Sequence, residues 1–273
     1  MSLLEIKAKA ENTKLPYVIC RVKKQLIGIS TEYVKELVHL PNITPLPNMP
    51  PEIRGIINSR GSVIHVHDLR MRLNMEPSTK ELNDLIQLLH EREQDHKNWL
   101  NELEQSTKDN RPFKLTTDPH KCAFGKWYNS FTTSNFILSA QLEKFDAPHK
   151  TIHSIAIDVE KMKAAGNFEG AFAIIEKTRE TELKLMVSLF EETRQLLVKT
   201  HREMAVILEV NGKSSALAVD QVVSVEPIEE GTIAPISSEY QQNSMAPYIA
   251  QRIGSGQFIY LLDPYKLSSD NPE

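Results

Sequence analysis

Residues 41–73, PNITPLPNMPPEIRGIINSRGSVIHVHDLRMRL, change character part-way. The first fifteen hold five prolines, which exclude a helix interior and a central strand and leave an extended connector or an edge. From Gly55 onward the residues are β-branched and apolar, and NSRG divides them with a turn that shows Arg60 at its tip, where Gly61 supplies a backbone conformation other residues resist. Upstream, YVICRV (17–22) and QLIGIS (25–30) read as further short strands. The far end of the chain has the same manner. MAVILEVNGKSSALAVDQVVSVEPI (204–228) sets two apolar strands about Asn211-Gly212, a strong hairpin signal, and GQFIYLLDPYKL (256–267) supplies another strand.

Between these ends the hydrophobic period becomes helical. In residues 79–105 Leu82, Leu85, Ile86, Leu89, Leu100 and Leu103 share one face, and His96, seven residues from both Leu89 and Leu103, points inward with them. Residues 168–197 place Phe168, Phe172, Ile175, Leu183, Met186, Phe190 and Leu197 on a stripe, after Gly166-Asn167 ends a preceding helix. Several such helices predict an antiparallel bundle over 78–201. Each β-rich end is too short to bury a core alone. The expected organisation is therefore one β domain, residues 14–77 and 202–273, cut open by a helical insertion.

Composition narrows the function. Two cysteines in 273 residues make no disulfide framework, and the opening MSLLEIKAKAENTK lacks an apolar leader, so the chain reads as cytoplasmic. No apolar run approaches the length of a membrane span. A net charge of −4 without Lys/Arg blocks gives no footprint for nucleic acid.

The middle carries the chemistry. APHKTIHSIA (147–156) sets His149 and His153 one helical turn apart on one face. With inward-facing His96 and with Cys122, in HKCAFGKWYNSF (120–131), the count reaches four nitrogen and sulfur donors, a set that suits tetrahedral zinc and leaves no open position. His120, two residues before the cysteine, competes as a donor, and His65 and His67 share a strand face where a second metal site or solvated side chains are alternatives. HKNWLNEL, CAFGKWY and HKTIHSIA, in that order, resemble the three motifs of the chemoreceptor zinc-binding (CZB) family, a helical bundle holding zinc by three histidines and one cysteine. The resemblance implies His96, Cys122, His149 and His153 as zinc ligands. Trp99, Phe124, Gly125 and Trp127 match the motif residues around them.

NITPLPNMPPEIRGIINSRGSVIHVHDLRMRL, continued by LEVNGKSSALAVDQVVSVEPI and FIYLLDPYKL, resembles the CheW family of chemotaxis coupling proteins. The resemblance implies an α+β fold: a CheW-like pair of small five-stranded, SH3-like β-barrels interrupted by the inserted antiparallel helical bundle. It also implies a non-enzymatic adaptor that couples chemoreceptor cytoplasmic tips to the histidine kinase CheA, at membrane-associated receptor arrays and without membrane insertion. Arg60, with Asn58 and Gly61 of the same turn, matches the family's partner-contacting Asn-Leu-Arg-Gly motif; Ser59 replaces its leucine, and His65 stands where proline is usual. On this reading zinc either senses, responding to zinc itself or to an oxidant through the Cys122 thiolate, or is purely structural, and the helical insert offers a surface for self-association. A zinc hydrolase fits less well, because HKTIH has Lys150 where the His-Glu-x-x-His pattern has its general base.

Overall fold

The computed structural model describes residues 16–133, 135–237 and 245–268. The first two residues of the expected β domain, the N-terminal stretch read for a leader and the last five residues lie outside these. The chain divides into two compact units: residues up to Lys80 together with those from Arg202 onward, and Glu81–His201.

In the first unit, strands β1 (Pro16–Val22), β2 (Gln25–Ser30), β3 (Val34–His39), β4 (Ile53–Ser59) and β5 (Ser62–Asp68) and the single-turn helix α1 (Leu69–Arg72) precede the insertion. Strands β6 (Met204–Val210), β7 (Lys213–Val219), β8 (Gln221–Pro227), β9 (Ala234–Pro235), β10 (Tyr248–Gln251) and β11 (Phe258–Leu261) follow it. They form two sheets, ordered β8-β1-β2-β11-β10-β9 and β3-β6-β7-β5-β4. The first has one strand more than the family pattern implies, through the two-residue β9. Neighbouring strands are antiparallel except β2 with β11 and β5 with β7. Both of these parallel pairs join a strand from before the insertion to one from after it, as do β1 with β8 and β3 with β6.

This interleaving explains why strands such as MAVILEV are apolar on both faces. Val206 and Leu208 join a core with Val18, Cys20, Ile27, Leu217 and Leu262, whereas Ala205 and Ile207 join a separate one with Ile57, Ile64 and Val66. A sheet covered on both sides reads as a continuous hydrophobic run. Cys20 belongs to this packing: it is fully buried, and burial pushes its thiol up to about 12. The stretch DQVVSVEPI does not continue β7 but crosses to the other sheet. The Asp220 carboxylate at the break accepts hydrogen bonds from Lys23 N and from Arg70 Nε and Nη2, all at 2.7 Å, which fixes the crossing. Strand β3 carried no clear sequence signal because Lys35 and Glu36 interrupt its apolar residues.

The turn Arg60-Gly61 joins β4 to β5 as a two-residue hairpin loop with both φ angles positive, 51° and 88°. That is the backbone hand that matches strand twist. Asn58 Oδ1 accepts from Gly61 N at 2.9 Å, and Arg60, 81 % exposed, pairs with Glu36 at 2.9 Å.

The second unit is helical: the rest of α2 (Ser78–Lys108), then α3 (Ala123–Ser130), α4 (Phe136–Glu143), α5 (Asp146–Ala164), α6 (Phe168–Thr178) and α7 (Lys184–Thr200). Gly166, at φ 73°, closes α5, and Asn167 caps α6 by accepting from Gly170 N. A π-turn, Arg179–Leu183, joins α6 to α7 without a break. Glu93 pairs with Arg194, and Asn101 and Glu104 meet Arg179, so α2 and the α6–α7 helix run antiparallel. One core, containing Leu89, Leu100, Leu103, Phe145, Ile152, Val159, Met186 and Phe190, fills the interior.

Candidate metal centre

Four chemically suited donors meet inside the helical unit. His96 projects from α2, His149 and His153 from successive turns of α5, and Cys122 is the residue that caps the start of α3. One ligand atom from each lies within 4.8 Å of all the others, and the three histidines are buried. Tetrahedral bonds of about 2.0–2.3 Å place neighbouring ligand atoms about 3.3–3.8 Å apart, so closure on an ion needs movements of only about 1 Å.

Hydrogen bonding sets which nitrogen faces inward. His96 Nδ1 lies 2.7 Å from Arg92 O, and His153 Nδ1 lies 3.2 Å from Thr116 O. A carbonyl only accepts, so each Nδ1 carries the proton and each Nε2 presents a lone pair. Both Nε2 atoms are buried without a hydrogen-bond partner. Two orphaned lone pairs in a packed interior are costly, and a cation that accepts both removes that penalty. His149 Nε2 is 3.2 Å from Cys122 Sγ. This donor set fits zinc.

Electrostatics agree. Burial, reinforced by the neighbouring imidazoles, lowers His149 to about 3 and His153 to about 4, and burial lowers His96 as well. All three rings are therefore neutral at physiological pH, the form that binds metal. Burial raises the Cys122 thiol, while hydrogen bonds from the Gly125 and Phe124 backbone N–H groups at the start of α3 pull it the other way. The Gly125 N to Sγ distance is 3.1 Å. Gly125 is needed here because a Cβ would fall 1.8 Å from Pro119 O, and Pro119 O is 3.3 Å from the sulfur.

An aromatic shell closes the site. Phe124 lies with its ring centroid 5.6 Å from His96, 5.0 Å from His149 and 5.3 Å from Phe190, and Trp99 lies 4.9 Å from His153. Phe190 had a sequence signal as one of the stripe residues. The Arg92 and Thr116 carbonyls had none, since every residue carries one.

The competing histidines fall elsewhere. His120 is exposed and its Nδ1 accepts from Asn129 Nδ2 at 3.1 Å. His65 and His67 line a cavity of about 30 Å³ in the β unit with Lys213, Ser215 and Pro264. That is room enough for a water. Lys150 is exposed and engages Asp146 at 2.8 Å.

Comparison with known proteins finds matches in both units. The family model described as chemoreceptor zinc-binding domain matches residues 96–159, which contain all four donors. The chemotaxis protein CheW of Treponema pallidum (strain Nichols) is 31 % identical over 67 residues, 24 % of this chain and 39 % of its own length. The chain thus spans about two fifths of that curated relative. A crystal structure of the scaffolding protein TtCheW from Thermoanaerobacter tengcongensis superposes with a TM-score of 0.44 at 15 % identity, covering 93 % of this chain and 87 % of that one. Among the described residues no helix is long and apolar enough to cross a membrane. The family model described as CheW-like domain matches residues 16–96 and 184–271, more than half of the chain, and the chain belongs to that family.

Proposed function

We propose that this chain is a chemotaxis-type signalling adaptor, in which the CheW-like halves couple chemoreceptor cytoplasmic tips to the histidine kinase CheA and the inserted unit holds one zinc ion. The observation that carries the reading is the convergence of His96, Cys122, His149 and His153 within the helical unit, over the stretch that the zinc-binding family model matches, in a chain whose two ends the CheW-like model matches. Residues 14–77 and 202–273 serve as the coupling domain and 78–201 as the zinc-binding insert. Asn58, Arg60 and Gly61 serve as a partner contact, supported by the exposure of Arg60 at a rigid turn and the preference of interfaces for arginine anchors. The setting is the cytoplasmic side of membrane-associated receptor arrays.

Bound zinc supplies a cross-link between separate helices, with four protein donors leaving no position for substrate. The reading as an adaptor rather than an enzyme is supported by Lys150, whose pairing with Asp146 puts an ammonium where a zinc hydrolase keeps its carboxylate base.

Metal analysis of the purified chain tests the site: one zinc per chain is expected, with loss in His96→Ala and Cys122→Ser, and no stoichiometric zinc in the wild type would refute it. A receptor–kinase assay with and without chelator tests the coupling. Arg60→Glu is expected to weaken association by about 1–3 kcal/mol without loss of fold. Wild-type binding by that variant moves the interface elsewhere. Chelation that unfolds the insert marks a structural zinc, and chelation that changes kinase coupling in a folded insert marks a sensory one.

A further inference from the structure

A histidine ligand works only if its ring is held in the right orientation and tautomer. His96 achieves this within its own helix, through the Arg92 carbonyl four residues back. His153 depends on another segment. Its Nδ1–H donates to Thr116 O at 3.2 Å, and the same oxygen accepts the Trp99 indole N–H at 2.9 Å. A carbonyl oxygen has two lone pairs, so these two donors fill it.

Trp99 is itself held. It is buried, its ring lies 4.9 Å from Phe113 edge-on, and it follows His96 by three residues on α2. The Thr116 hydroxyl accepts from Asp118 N at 3.2 Å, which tightens the loop just beyond the shared carbonyl. That loop runs on through Pro119 to Cys122. One segment therefore orients His153 and also delivers the thiol.

We propose that Trp99 is a positioning residue of the metal centre: its indole N–H pins the Thr116 carbonyl, which holds His153 as the Nδ1–H tautomer with its Nε2 lone pair aimed at the other three donors before metal arrives. This rests on the reading of His153 as a zinc ligand. A residue that merely fills the space of the indole leaves the carbonyl free to turn. His153 then gains the freedom to carry its proton on Nε2, where it blocks the bond to metal.

The experiment uses the whole 273-residue chain. In long-range proton–nitrogen spectra of the chelated wild type, His153 is expected to carry its proton on Nδ1; a proton on Nε2 overturns the proposal, and this measurement needs no variant. Trp99→Phe keeps an aromatic ring and removes the N–H. It is expected to bind zinc about tenfold more weakly in competition with a chromophoric chelator, with the His96 tautomer unchanged. Phe113→Leu thins the same packing without touching the hydrogen bond and is expected to stay within twofold of wild type. Equal zinc affinity for Trp99→Phe and wild type, or an equal loss in Phe113→Leu, overturns the positioning role while leaving the zinc reading intact. A wild-type chain that takes up no zinc sinks both.

Discussion

At Gly125 an added methyl group meets the Pro119 carbonyl oxygen at 1.8 Å, a contact with backbone that no side-chain rotation relieves. Gly125→Ala must push the 116–122 loop outward and carry Cys122 with it. The expected cost is about 2–3 kcal/mol in the stability of the helical unit, read by thermal unfolding with and without zinc. A variant with wild-type stability in both states means that the loop does not approach α3 as described. Arg60 is a residue of the opposite kind. It adopts a left-handed backbone, φ 51°, where asparagine or glycine would be relaxed. Local preference given up at an exposed turn tip is a common mark of a site kept for contact.

At the scale of the helices, the histidine cluster makes stability depend on pH. Free histidine titrates near 6.5, whereas folded His149 and His153 lie at about 3 and about 4. Between these values the unfolded chain binds protons that the folded chain does not. The contribution is therefore complete above about pH 6.5 and is lost progressively as pH falls toward the folded values. Chelated protein is expected to melt at a lower temperature at about pH 5 than at about pH 8, followed by helical circular dichroism. Equal melting temperatures would show that the rings are solvated. Helix α2 and the α6–α7 helix were legible from apolar spacing, and α5 from the one-turn spacing of His149 and His153 and the Gly166-Asn167 stop that follows it. The π-turn was not. It places buried Thr178 and Leu183 five residues apart on one interior face, a step that an unbroken 3.6-residue period does not contain. The positions of α3 and α4 escaped the sequence because each has only eight residues, little more than two turns of period.

For the molecule as a whole, Glu203 sits where the chain returns to the β unit. It accepts from Ser78 Oγ at 2.6 Å and pairs with Arg54 at 2.7 Å. The residue that opens α2 is thus tied to the one before β6. Glu203→Ala removes both contacts and is expected to destabilise the β unit by about 1–3 kcal/mol in urea unfolding. No change would mean that Arg54 transfers fully to Asp68, 3.9 Å away. The pairing of strands across the insertion was foreseeable only as a division of the chain, because which strand meets which is decided by packing between distant segments. It has a consequence for synthesis. At about 5–20 residues per second, β5 waits on the order of ten seconds for β7 to leave the ribosome, with its sheet edge open to other chains. The helical segment, rich in local contacts, can fold within that interval. Once folded, it replaces a slack loop whose closure would cost about 4 kcal/mol, so the emerging strands meet a partner whose ends are already gathered.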